Sequence, residues 1–434
     1  MKPTSLGWLG IVRLGLVQSA IGAIVMLVTS LLNRVMVVEY ALPVALPAGL
    51  VAWHYAVQLS RPLWGHGSDR GQRRTPWIIL GMGLLAFGAM LAICALSLLA
   101  AHSAGGYALA IVAFSMIGAG VGAAGTSLLA LLATRVAPER RAAAASITWI
   151  MMIAGIVITA GIAGALIDPF SLRRLALVAS GVAGGALFLA TAAIWGVEGR
   201  AGAVQVAAGS ATEPDFATAL REMLADPEAR RFTLFVFLSM LAYSMQDLIL
   251  EPFAGLLFGF TPGQSTRLSG LQHGGVLAGM ILVGVGGSAF GGRTATSLRG
   301  WILGGCAGSA LALVGLALAA RAGPNWPLSA NIAVLGFANG IFAVSAIGAM
   351  MGLAGGESGR EGMRMGVWGA AQAIAFGLGV LIGAIGVDVG RAVIGSTPET
   401  FTVVFGGEAL LFLVAASLAP SGVARRKRLE PKVA

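Results

Sequence analysis

Four charged residues, Arg34, Glu39, Asp247 and Glu251, stand in or beside long apolar stretches. On insertion scales such a residue costs about 2.5 to 3.5 kcal/mol at a helix centre, so each requires a partner, a polar cavity or an aqueous edge. Asp247 and Glu251 are four apart and are expected to share a helical face, whereas Arg34 and Glu39, five apart, are poorly placed to pair along one regular helix. The expected pairing therefore runs between distant stretches, Arg34 with Asp247 or Glu251. The alternative places Arg34 and Glu39 at an interface by snorkelling. Pro252 predicts a kink beside Glu251, with freed carbonyls open to ligand or water. His54 lies between Trp53 and Tyr55, and His273 beside Gln272 and Gly274. A neutral imidazole is a common metal ligand and aromatic neighbours pack on flat rings. The other reading of both histidines is hydrogen-bonded helix packing.

The elements that must position these residues follow from composition. Residues of the AVILMFWYC set fill 57% of the 434 positions and charged residues only 11%, which excludes a water-soluble multidomain chain. Since a bilayer core takes about 20 apolar residues per helix, there is room for roughly twelve spans. They are expected near 13–35, 43–60, 77–99, 107–133, 143–167 and 174–196, then 232–258, 268–290, 299–320, 328–353, 365–388 and 400–419. The first apolar stretch is read as a span, since no A-x-A-like cleavage site follows it. With both termini cytoplasmic, 22 of the 28 basic residues fall inside and five outside, as the positive-inside rule requires. The net charge of +10 is thus topogenic and does not indicate nucleic acid.

The fold class expected is an all-α polytopic membrane protein with two six-helix halves, 1–196 and 232–419, joined by a cytoplasmic linker, 197–231, and followed by a basic tail, 420–434. In the linker, Asp215 to Leu224 reads either as a short surface helix or as plain connection. Internal echoes support a repeat: NRVMVVE (Asn33 to Glu39) against QDLILE (Gln246 to Glu251). Cys94 and Cys306 lie apart in apolar segments, without disulfide or zinc spacing. The 64 glycines are expected mainly to let helices approach, or else to leave grooves for a flat ligand. Asp388 and Glu408 have no assigned role.

After the second span comes GHGSDRGQRR, which resembles the GxxxDRxGRR loop of the major facilitator superfamily. Gly65, Asp69, Arg70, Arg73 and Arg74 match it, while Gly71 comes one position early. The resemblance implies a conformational latch, whereas topogenic charge alone explains the arginines but not the Gly65 to Asp69 spacing. The corresponding loop of the second half, GGRTATSLRG, lacks the aspartate. The segments LNRVMVVEYALPVALPAGLVAWHYAVQLSRPLWGHGSD, QDLILEPFAGLLFGF and LQHGGVLAGM are similar to the bacteriochlorophyll delivery branch of that superfamily, the light-harvesting assembly proteins of the PucC and LhaA type.

That resemblance implies a non-enzymatic factor of the bacterial cytoplasmic or intracytoplasmic membrane that binds bacteriochlorophyll as cargo. The implied partners are light-harvesting antenna polypeptides, membrane lipid and pigment-synthesis enzymes. The pigment-binding candidates are His54, Trp53, Tyr55, Gln246, Glu251 and His273, with His54 or His273 as ligand to the chlorin magnesium. The alternative is a proton-coupled transporter of an amphipathic small molecule, using Asp247 and Glu251. No diphosphate, GxGxxG, HExxH or nucleophile-elbow motif points to an enzyme.

Overall fold

In lipid every backbone N–H and C=O must be satisfied within the chain, and a continuous helix does this span by span. The computed structural model accordingly consists of helices, with no strand among the described residues, which are 6–61, 64, 73–137, 140–198, 221, 225, 227–289, 295–354 and 361–419. Helix α1 covers Trp8–Glu39. It is followed by α2 (Ala45–Gln58), α3 (Thr75–Ala100), α4 (Ala104–Arg135), α5 (Arg141–Leu166) and α6 (Leu172–Ile194). The second set is α7 (Pro227–Met245), α8 (Leu250–Phe258), α9 (Pro262–Ala289), α10 (Ala295–Ala322), α11 (Leu328–Ala354), α12 (Glu361–Ile394) and α13 (Thr397–Ser417). Local signals mark the ends. Ser171 accepts from the Arg174 N–H at the start of α6, 3.1 Å away, and Gly259 and Gly395, at φ of 66° and 72°, terminate α8 and α12 in the left-handed region.

Ten helical stretches of the described residues are long and apolar enough to cross a membrane, with α7 and α8 counting together as Ala229–Phe258. The expected second and eighth spans correspond to α2 and α9, which fall below that standard. Helix α2 has 14 residues, hence about 21 Å of rise against a core of about 30 Å, and α9 carries Gln264, Arg267, Gln272 and His273.

Packing repeats between the two sets. Helix α1 packs on α5 and α6, as α7 packs on α12 and α13; α3 packs on α4 and α6, as α10 packs on α11 and α13; α2 packs on α4, as α9 packs on α11. The sets meet where α2 lies on α12 and α5 on α9. Glycines make several crossings close: a Cβ on Gly279 would come within 2.2 Å of the Phe337 carbonyl, and one on Gly340 within 2.1 Å of the Val276 carbonyl. At these positions the glycines serve helix approach. The linker segment at 215–224 lies almost wholly outside the described residues.

Candidate functional site

The C-terminal part of α1 is not regular. Leu27–Leu31 and Val35–Glu39 are π-helical, so hydrogen bonding runs from i to i+5 and residues five apart come onto one face. This corrects the expected pairing of Arg34. Its guanidinium donates to Glu39 Oε1 on the same helix rather than to Asp247 or Glu251, because the wider winding removes the offset that a regular helix would impose. A second donor of Arg34 reaches across to the Phe260 carbonyl at 2.6 Å. Arg34 is 2% exposed, and the two bonds serve its terminal nitrogens while Nε is buried without a partner; the Glu39 side chain keeps 31% of its surface open. Beside the pair is a cavity of about 590 Å³, walled by Pro169, Phe170, Phe260, Thr261 and Gln264 among others. Gly255 lets α8 come this close to α1, since a Cβ there would meet Val38 at 2.9 Å and Arg34 at 3.3 Å.

The corresponding span of the second set is broken instead of widened. Gln246 to Ile249 form a turn between α7 and α8, so Asp247 and Glu251 do not share a regular helical face as their spacing predicts. Pro252 explains the position. It has no N–H for the carbonyl four residues back, that of Leu248, and its ring crowds that group. The freed Leu248 carbonyl accepts from Asn33 Nδ2 at 2.8 Å, joining the break to α1. Glu251 Oε1 accepts from Ser30 Oγ. With the single Ser30 proton used there, Ser269, 3.0 Å from Ser30, is the donor of the next bond. Glu251 Oε2 and both amide atoms of Gln246 are buried without a partner. Asp247, Glu251, Ser269, Gln272 and Ile332 enclose a void of about 10 Å³. That is space for roughly one water and far too little for a macrocycle.

His54 and Trp53 diverge, being neighbours on a helix. Trp53 is 46% exposed and donates to Ser115 at 2.7 Å, whereas His54 is buried beneath the Tyr55 ring, with centroids 5.0 Å apart. Tyr55 also stacks on Phe376 of the second set, which Tyr243 meets edge-on. The hydrogen bonds identify the His54 tautomer. Arg61 donates to Gln58 Oε1, so the Gln58 amide nitrogen faces His54 Nε2, 2.8 Å away, and that nitrogen accepts. The proton then resides on Nδ1, which has no partner, and neither nitrogen presents a free lone pair. His273 differs. Its Nδ1–H donates to the Ser269 carbonyl at 2.9 Å, which leaves the Nε2 lone pair of a half-buried ring free to act as a ligand.

Of the predicted latch loop, Gly65, Asp69 and Arg70 lie outside the described residues. Arg74 donates to the Ala130 carbonyl and, at 2.7 Å, to Thr134 on α4. A residue that sequence reasoning passed over, Glu198, accepts from the backbone N–H of Arg74 and Thr75 at 2.8 to 3.0 Å and so caps α3 with a carboxylate. Ser30 and Ser269 were also passed over, and Asn33 was noted only as part of the internal echo. Small polar residues are common in membrane helices, and nothing in their spacing shows what they face.

Fold and site together define a multi-pass helical membrane protein with a facilitator-like architecture and a polar seam between its helix sets. A crystal structure of the peptide transporter POT in complex with sulfate is similar to it over 96% of both chains, with a TM-score of 0.68 and 15% identity, a likeness of fold. The chain belongs to the family described as PUCC protein, whose model matches residues 31–427. Among its relatives, the bacteriochlorophyll synthase 44.5 kDa chain of Rhodobacter capsulatus is 52% identical over 97% of both chains. Protein PucC of the same organism is 31% identical over 94% of this chain and 91% of its own.

Proposed function

We propose that this protein is a non-enzymatic membrane assembly factor that binds bacteriochlorophyll and delivers it to light-harvesting antenna polypeptides. The observation that carries the reading is membership of the PUCC family over residues 31–427, together with a 52% identical relative whose name contains the pigment. The word synthase in that name describes the relative; a facilitator-like fold and the other PucC relatives favour a carrier role here. The geometry adds a division of labour. The void beside Gln246 and Glu251 admits about one water, so these residues meet a pigment only in a more open state. The cavity of about 590 Å³ beside Arg34 and Glu39 falls within the usual range of ligand pockets, about 300 to 1,000 Å³. If a histidine holds the chlorin magnesium, its hydrogen bonding favours His273 over His54 in this state.

Gentle purification, pigment extraction and identification of co-purifying small helical polypeptides test the proposal. Bound bacteriochlorophyll with antenna polypeptides is expected, and its amount falls in His273→Leu more than in His54→Leu. Colourless protein without such partners overturns it. The second reading, a proton-coupled transporter of an amphipathic small molecule, draws on Asp247, Glu251 and the fully buried, unpartnered Glu408. Proton-dependent flux into proteoliposomes would favour it.

A further inference from the structure

Asp168 and Asp388 lie apart from the polar seam, yet they occupy matching places. Asp168 follows α5, and its carboxylate accepts from the Gly263 N–H at 3.1 Å and from the Thr261 hydroxyl at 2.6 Å, at the start of α9. Asp388, on α12, accepts from the Val44 and Ala45 N–H groups at 3.0 and 2.6 Å, at the start of α2. The donors Val44 and Gly263 each follow a proline, Pro43 and Pro262. Exchanging the two helix sets turns α5 into α12 and α9 into α2, so the two contacts are copies of one contact. Each sits on one of two helix pairs that join the sets, α5 with α9 and α2 with α12. A carboxylate at a helix N-terminus satisfies otherwise unpaired N–H groups and meets the positive end of the helix dipole.

The fit is close at Asp168. A Cβ on Gly263 would lie 2.3 Å from the carboxylate and 2.5 Å from the Gly164 carbonyl, so glycine is required for α5 and α9 to meet here. Asp168 and Thr261 also wall the cavity of about 590 Å³, whose other wall holds Arg34.

From this geometry we infer that Asp168 and Asp388 form a twin latch, each half contributing one carboxylate to cap a helix of the other, which holds this end of the molecule closed. The latch does not depend on which cargo the protein carries. It is tested by the reactivity of a buried reporter, Ile332→Cys, in a background in which Cys94 and Cys306 are replaced by alanine. Ile332 is 1% exposed and lines the central void. A membrane-impermeant thiol reagent is applied to right-side-out and to inverted vesicles. Alkylation from the latch side is expected to rise about tenfold in the D168A/D388A double variant and by about threefold in either single variant, on the scale of lost helix caps. D168N and D388N keep one oxygen acceptor and should show smaller rises. If the double alanine variant does not accumulate, the paired asparagine variant carries the same test. A correctly inserted double variant that is alkylated no faster than the parent, or equally faster from both sides, overturns the latch.

Discussion

The first and seventh spans hold equivalent places in the two sets, and both abandon regular α geometry in the part that meets the other set. They do so in opposite ways. Helix α1 is underwound into π segments, Leu27–Leu31 and Val35–Glu39, while the α7 to α8 span is interrupted at residues 246–249 ahead of Pro252. The π winding turns Arg34 and Glu39 onto one side of a continuous helix, so that a charged pair is satisfied mostly from within. The break exposes the Leu248 carbonyl, which is satisfied only from outside, by Asn33. The repeat thus preserves where the backbone is irregular and not how. One span brings its partner with it, and the other depends on its neighbour.

The comparison can be broken at its charged end first. Removing Glu39 leaves a guanidinium that is 2% exposed with only carbonyl support, whereas removing Arg34 leaves a carboxylate that is 31% open to water. Glu39→Ala is therefore expected to destabilise by about 3 kcal/mol, as for a broken buried pair, and Arg34→Met by less. Thermal melting of purified protein in detergent measures both. Equal losses would show that burial does not distinguish the partners. Next in size is the dependence of the broken span on α1. Asn33→Leu leaves the Leu248 carbonyl unsatisfied, at a cost of about 1 to 3 kcal/mol. The same substitution in a Pro252→Ala background should cost clearly less, since the restored N–H at 252 bonds that carbonyl. A double-mutant cycle reads this coupling, and additive losses would refute the account of the break. The smallest effect is expected at the contact between the spans. Gly255→Ala sets a methyl 2.9 Å from Val38, and a modest loss of about 1 kcal/mol is expected as side chains shift.

Much of the architecture was legible in the residues. Apolar runs bounded by basic loops placed ten spans that the structure shows long and apolar enough to cross, and the polar character of His54, Asp247 and Glu251 within such runs marked them as requiring explanation. Pro252 announced an irregularity, although the break falls on its N-terminal side, where the missing hydrogen bond lies. Less was legible of who meets whom. The spacing of Arg34 and Glu39 argued against their pairing, because sequence periodicity assumes a regular helix and π winding is set by packing. Trp53 and Tyr55 flank His54 equally in sequence, yet helical rotation sends Trp53 outward to Ser115 and leaves Tyr55 against the ring.

Composition by itself determined that this chain is a multi-pass helical membrane protein, because insertion into lipid is decided span by span from local apolarity. The resemblance of particular segments pointed further, to a family. Tertiary structure alone decided that Asn33 completes the Leu248 carbonyl, that Gln58 occupies the His54 lone pair while His273 keeps its own, and that Asp168 and Asp388 cap helices 95 and 344 residues distant. These are matters of which polar groups meet across packed helices. A buried donor or acceptor must find a partner, but only the packed arrangement says which one.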